Sequence, residues 1–170
     1  MKSQIETVEQ AIEARLVEAR KESLKRLGDI EHRLEFVELY EEVEFINDAK
    51  AADLNSTWYS IDCMDKPIVW IVSSTTYEED YSLFDELDTS KIRAVIIMGT
   101  NKDPIQEKLE GRVELVGQVN TMIEAVSHAT LIADSGDVVL YSPAFSDFEP
   151  STHFKERGQQ FRKAVREMRL

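Results

Sequence analysis

Two short runs of uninterrupted apolar residues constrain the fold more than any other feature of this chain. Residues 68–72 read Ile-Val-Trp-Ile-Val between Pro67 and Ser73, and residues 94–98 read Ala-Val-Ile-Ile-Met before Gly99. Short runs that are apolar at every position are typical of strands buried on both faces. A sheet that is buried on both faces needs helices on each side, so the two runs predict an α/β domain.

The segments around these runs alternate between strand-like and helix-like patterns. The alternation predicts a Rossmann-like, mostly parallel sheet with helices on both faces. Ligands of such sheets bind at the carboxyl ends of the strands, which here are followed by residues 47–53, 73–80 and 142–148. Asn55 and Ser56 are candidate caps for the first of these helices. The predicted strands are 33–39, 43–46, 68–72, 93–98, 113–116 and 137–141, and the predicted helices are 54–64, 81–87, 103–109, 120–133 and 154–168.

The first 28 residues differ in character from the rest of the chain. Residues 3–27 are highly charged and contain no glycine or proline, and Gly28 offers a helix stop. The pattern predicts an N-terminal amphipathic helix over 1–28, followed by one domain over 29–170. The apolar stripe of this helix must be covered, either by its own domain or by self-association with a second copy. The stripe comprises Ile5, Val8, Ile12, Leu16 and Ala19.

The charge and the cysteine content exclude several classes of function. The net charge is −13, so the chain has no general attraction to nucleic acid or to an anionic membrane surface. Neither a secretory signal nor an apolar run of about 20 residues is present. The single cysteine, Cys63, allows no intrachain disulfide. These features predict a cytoplasmic protein in a reducing compartment, with no nucleic-acid or membrane partner.

Sequence motifs for common chemistry are absent. The chain has no P-loop, no dinucleotide-binding glycine pattern and no G-x-S-x-G elbow. His32, His128 and His153 are scattered singly, without the spacing of metal ligands. The sequence therefore predicts no catalytic residue and no metal site of its own.

A series of strings in the second region resembles a known family. Residues 31–35 read Glu-His-Arg-Leu-Glu, residues 43–51 read Val-Glu-Phe-Ile-Asn-Asp-Ala-Lys-Ala, residues 140–144 read Leu-Tyr-Ser-Pro-Ala and residues 154–161 read Phe-Lys-Glu-Arg-Gly-Gln-Gln-Phe. In this order, and with Asn-Ser-Thr at 55–57, they resemble the C-terminal domain of the Mur ligases of peptidoglycan synthesis, and most closely those of the D-glutamate-adding type. The resemblance extends over about residues 22–170.

The resemblance implies one domain of a three-domain ligase. In that family the N-terminal domain binds a UDP-sugar, the central domain holds the P-loop and Mg²⁺, and the C-terminal domain binds the amino acid and closes over ATP. By this resemblance, nucleotide would be contacted by His32, Arg33, Asn47, Asp48 and Lys50. Ser142 and Phe148 would contact the amino-acid substrate.

The chain departs from the family pattern in the same loops. A Ser, a Thr and an Asn of the family's loop become Ala49, Ala52 and Asp53. The family's Gly-Gly pair becomes Ser73-Ser74 and its carboxylate-binding Lys becomes Tyr77. Later in the chain, Asp147 replaces a substrate-contacting Ser. In these loops an anionic amino acid would be repelled, whereas the family pattern offers it a charge-assisted hydrogen bond.

Three hypotheses for the function follow. In the first, the domain is not catalytic alone and acts in binding or assembly, without a cofactor. In the second, it is the amino-acid- and nucleotide-binding half of a ligase and works with a separate ATP-binding partner, with ATP and Mg²⁺ as cofactors. In the third, the chain is a piece of a longer ligase.

Overall fold

The structure is a computed structural model, and it describes residue 15 and residues 31–76, 79–145 and 150–168, with the side chains of 150–153 left out. The chain divides into two compact units, Met1–Glu31 and His32–Leu170, of which the second is described here. The helix predicted over 1–28 and the predicted substrate residue Phe148 lie outside the described residues. The self-association predicted for that helix stays a prediction.

Six strands form one sheet in the order β1-β2-β6-β3-β4-β5. Strand β1 pairs with β2 in the antiparallel direction, and the other pairs are parallel. A two-residue turn joins β1 to β2, and both of its residues, Glu41 and Glu42, have positive φ, as hairpin turns of this length require. The strands are β1 Glu35–Tyr40, β2 Val43–Asn47, β3 Ile68–Ser73, β4 Ile92–Met98, β5 Leu115–Val119 and β6 Val138–Tyr141.

Five helices of the described part flank this sheet. The core on one face joins alternate residues of the central strands to α4 and α5. On the other face, Trp70 of β3 stacks on Phe84 of α2 with ring centroids 6.0 Å apart. The predicted α/β, mostly parallel sheet flanked by helices is therefore confirmed. The helices are α1 Leu54–Asp62, α2 Leu83–Glu86, α3 Asp103–Leu109, α4 Met122–Ile132 and α5 Pro150–Glu167.

Several predicted details of the elements are wrong. Neither Asn55 nor Ser56 caps α1; the cap is Asp53, whose carboxylate accepts the Ser56 N–H at 2.8 Å. Strand β5 lies two to three residues later than predicted, because the backbone N–H of Val113 still bonds to Leu109 of α3.

The pairing of the strands brings the carboxyl ends of β2, β6 and β3 side by side. Asn47 at the end of β2 is in register with Tyr141 at the end of β6, and Tyr141 is in register with Ile71 of β3. Residues that follow these strands must therefore meet at one edge of the sheet. In the part of the chain that the structure describes, no helix is both long and apolar enough to cross a bilayer.

Candidate functional site

Four of the seven predicted site residues meet at this edge of the sheet. Asn47 ends β2 and Asp48 follows it, Ser142 follows β6, and His32 precedes β1. The side chains of all four are buried, with at most 1% of each residue exposed. We call these four residues the buried polar network.

Asn47 joins the start of the domain to the last helix. Its Nδ2 lies 2.9 Å from His32 Nδ1, 3.1 Å from Glu35 Oε2 and 3.3 Å from the carbonyl oxygen of Gly158 on α5. Its Oδ1 accepts the N–H of Ala49 at 3.2 Å. The amide group therefore makes contacts with protein partners through both of its polar atoms.

Asp48 joins the same region to β6. Its Oδ1 accepts the N–H of Leu34 at 3.2 Å, and its Oδ2 accepts the hydroxyl of Ser142 at 2.8 Å. Burial raises the pKa of the Asp48 carboxyl from its ordinary 3.8 to about 6, although hydrogen bonds from Ser60, Ser142 and Leu34 oppose the rise. Loss of solvation outweighs the hydrogen bonds that stabilise the carboxylate.

Ser142 extends the network to α1 and β3. Its Oγ lies 2.8 Å from Thr57 Oγ1, and its carbonyl oxygen accepts the indole N–H of Trp70 at 2.8 Å. Both hydroxyl oxygens are buried.

Three residues near the network have a positive φ: Ala144, with a φ of 65°, and His32 and Leu34. Backbone in this region of φ and ψ is costly for residues with a side chain, and it is held here by the surrounding contacts.

The two predicted cations lie further out. Arg33 is exposed and Lys50 is partly exposed. The Lys50 Nζ lies 5.6 Å from the centre of the Phe154 ring, within the range of a cation–π contact. These two side chains are therefore accessible to a ligand at this edge, unlike the buried polar network.

Four contributors to this region were missed or misread in the sequence. Gly158 packs against the His32 ring so closely that a Cβ there would lie 2.2 Å from Nδ1. Thr57 and Glu35 complete the hydrogen bonds of Ser142 and Asn47. Gly158 and Glu35 belong to the strings that carry the family resemblance, which was the available signal. Asp53, taken as a misplaced acid, is the cap of α1.

The described part of the site offers no set of metal ligands. Among the residues that the structure describes, no group of three or more His, Cys, Asp or Glu side chains is placed to hold a metal ion. Asp48 meets hydroxyl and amide donors instead of other carboxylates. The arrangement can hold backbone loops in place, and it presents cationic groups only at its outer edge.

Comparison with known proteins finds relatives among the UDP-N-acetylmuramoylalanine–D-glutamate ligases. UDP-N-acetylmuramoylalanine–D-glutamate ligase of Porphyromonas gingivalis is 35% identical over 148 residues, which cover 87% of this chain and 33% of that protein. The same ligase of Salinibacter ruber is 35% identical over 159 residues, covering 91% of this chain and 35% of that protein. The chain thus spans about a third of the length of these relatives. No protein-family model matches it.

Solved structures show the same fold at lower sequence identity. A murein peptide ligase from Psychrobacter arcticus matches with a TM-score of 0.56 at 13% identity, covering 79% of this chain and 30% of that chain. A domain from Haemophilus ducreyi, described as part of a UDP-N-acetylmuramate:L-alanyl-gamma-D-glutamyl-diaminopimelate ligase, matches with a TM-score of 0.53 at 15% identity. That match covers 78% of this chain and 99% of the other, so the fold corresponds to one whole domain there.

Proposed function

Because this chain belongs with the Mur ligases, as a homologue of the C-terminal region of the D-glutamate-adding ligase, we propose that it is a binding or assembly module that does not ligate alone. The resemblance found in the sequence is thereby confirmed. What the domain does with that inherited fold is the subject of the proposal.

The hydrogen bonds of three residues of the buried polar network, Asn47, Asp48 and Ser142, carry this proposal. The polar atoms of Asn47 and Asp48 and the hydroxyl of Ser142 all have protein partners between 2.8 and 3.3 Å away. To bind a ligand directly, any of them must break a buried hydrogen bond, which costs about 1–3 kcal/mol when the partner is left unsatisfied. These residues therefore serve to hold the loops at the sheet edge.

The substitutions in the same loop support this function. Ala49 and Ala52 supply no hydroxyl where the family pattern has Ser and Thr. The Asp53 carboxylate is occupied by the N–H of Ser56 at 2.8 Å and its hydroxyl at 2.9 Å. An acid at this position caps a helix and would repel an anionic substrate.

Ligation by the purified chain is the direct test. We expect no phosphate release above background when the chain is mixed with Mg-ATP, D-glutamate and a UDP-N-acetylmuramoyl-alanine substrate. Phosphate release that depends on both substrates, and that disappears in the Arg33→Ala/Lys50→Ala double variant, would contradict the proposal. Release that needs neither D-glutamate nor the UDP-sugar, and that persists in this double variant, identifies a contaminating ATPase, which repurification then removes before the assay is read.

One observation favours a second function. Arg33 and Lys50 stay accessible at the sheet edge, and long cations suit contacts to phosphate. In this second function the domain is the amino-acid- and nucleotide-binding half of an ATP-dependent ligase, with the P-loop and Mg²⁺ supplied by a separate partner. It requires that ligation reconstituted with such a partner be lost in Lys50→Ala. A cytoplasmic location, predicted from the single cysteine, remains part of either function.

A further inference from the structure

A cleft of about 500 Å³ lies at the carboxyl ends of β3, β4 and β5, between the start of α4 and one side of α5. This volume is within the range of about 300–1,000 Å³ that small-molecule sites occupy. None of the predicted site residues in the described part of the chain lines the cleft. It is therefore a separate candidate for ligand binding. The lining residues that decide its chemistry are Ser73, Met98, Ile123, Arg157, Lys163 and Glu167.

Ser73 places a buried hydroxyl without a hydrogen-bond partner at this cleft. The residue is 3% exposed, and its Oγ has no partner among the described residues. Because side chains alternate between the faces of a strand, Ser73 lies on the same face of β3 as Ile71, which belongs to the core under α4 and α5. Its register partner Met98 packs against that core and also lines the cleft. A buried hydroxyl without a partner is costly, so a ligand that supplies an acceptor would relieve that cost.

The start of α4 adds two donors to the cleft but no free positive charge. The backbone N–H groups of Met122 and Ile123, the first two helical residues, have no acceptor within the helix, and both residues line the cleft. A carboxylate already occupies this end of the helix, because Glu124 accepts the N–H groups of Asn120 and Thr121 at 2.8 and 3.1 Å. A second negative charge would be repelled by Glu124, whereas a neutral acceptor would not.

The ionised side chains of the described lining already have partners. Lys163 and Glu167 lie 3.7 Å apart, with 73% and 49% of their side chains exposed. Arg157 also has an interaction partner. Since the described lining leaves no charge unpaired, a charged ligand would lose its hydration without gaining an opposite charge in return. The cleft therefore favours a ligand without charge.

Apolar side chains offer a surface for the body of such a ligand. Met98, Met122 and Ala164 line the cleft together with Ile123, which is 66% exposed. An apolar group placed against Ile123 would remove both surfaces from water, which is favourable in proportion to the area buried. The unmet hydrogen-bonding groups are donors, and a carbonyl oxygen accepts hydrogen bonds without bringing a donor of its own.

We propose that this cleft binds a small neutral molecule that carries a carbonyl group on an apolar body. The carbonyl oxygen accepts the hydroxyl of Ser73, and the apolar body lies against Met98 and Ile123. The proposal does not depend on the function proposed above, since the cleft and the buried polar network share no residue.

Titration of the full chain with 4-phenyl-2-butanone, followed by backbone amide chemical shifts, tests this inference. The probe is neutral, and its carbonyl group is attached to a phenylethyl body. We expect saturable shifts confined to the residues around the cleft. The anion 3-phenylpropanoate and the cation formed by 4-phenylbutan-2-amine have the same body. Each should bind at least about tenfold more weakly than the ketone, because neither meets an unpaired opposite charge.

Two pairs of variants locate the contacts of the ketone. Ser73→Ala should weaken its binding by about fivefold, because the hydrogen bond to the carbonyl oxygen is lost. Ser90→Ala, which removes an exposed serine outside the cleft, should leave the affinity unchanged. Ile123→Ser should weaken binding by about three- to tenfold through the loss of apolar contact. Leu131→Ser, which changes an 82% exposed residue of the same helix outside the cleft, is its matched control.

The Tm of Ser73→Ala without ligand provides an independent check. We expect an unchanged or raised Tm, since the substitution removes a buried hydroxyl that has no partner. A lowered Tm would mean that the hydroxyl has a structural partner, and it would overturn the role of Ser73 in binding. The proposal is also overturned if either ion binds as tightly as the ketone, if Ser73→Ala binds the ketone as the unchanged chain does, if the shifts centre outside the cleft, or if no saturable shift appears up to the solubility limit of the ketone.

Discussion

Gly158→Ala should lower the free energy of unfolding by about 3 kcal/mol, at the upper end for overpacking of a core. A Cβ at this position would lie 2.2–2.7 Å from three atoms of the His32 ring. The ring cannot move aside cheaply, because His32 is fully buried and Asn47 lies 2.9 Å from its Nδ1. In an open helix the same substitution would stabilise the protein by about 1 kcal/mol. The sign of the change therefore reports on the contact between α5 and His32.

Urea unfolding measures this effect as the free energy of unfolding of Gly158→Ala, with Gly117→Ala as the control variant. Gly117 lies on β5, has ordinary φ, and a Cβ there would meet nothing within 4 Å. The control should leave stability unchanged or raise it by up to about 1 kcal/mol. If Gly158→Ala is as stable as the control, the packing of α5 on the buried polar network described here is wrong.

The second large effect is a dependence of stability on pH that Asp48 causes. Its pKa is about 6 in the folded protein against 3.8 ordinarily, so between these values the folded state binds more protons than the unfolded state. Stability due to this group is therefore greatest below about pH 4 and falls as pH rises to about 6. A shift of about two units corresponds to a loss of about 3 kcal/mol across that window.

Asp48→Asn should remove this dependence. The amide oxygen can still accept the Leu34 N–H, and the amide nitrogen can donate to Ser142 Oγ. The difference in unfolding free energy between the variant and the unchanged chain should therefore grow in favour of the variant by about 2.5 kcal/mol from pH 4 to pH 7. Asp62→Asn, which removes an exposed carboxylate at the end of α1, controls for the change in net charge. If the free energies of unfolding of the unchanged chain and of Asp48→Asn change with pH in the same way, folding does not raise the pKa of the Asp48 carboxyl.

The sheet was predictable from the sequence because its central strands are apolar at every position. The apolar runs 68–72 and 94–98 needed no tertiary information, since such runs have few alternatives. Strand β5 was misplaced because it is an edge strand with exposed Leu115 and Gln118, and its pairing with β4 decides its bounds. The cap of α1 was misassigned because Asp, Asn and Ser occur together there, and only geometry selects one of them.

The sequence named residues that the structure brings together, but it did not give their contacts. The family strings identified Asn47, Asp48 and Ser142, yet Asp48 bonds to a residue 94 positions away and Asn47 to one 111 positions away. Pairings at such separation depend on the folded topology and cannot be deduced from local patterns.

The stability of the full chain with and without Mg-ATP or ADP tests the central claim most directly. A ligand that binds only the folded protein adds about 2.7 kcal/mol at 100 times its Kd, which calorimetry detects readily. We expect no stabilisation by either nucleotide, because the buried polar atoms of Asn47, Asp48 and Ser142 already have protein partners. Stabilisation by either nucleotide that is lost in Arg33→Ala or Lys50→Ala would contradict the claim and establish a working nucleotide site.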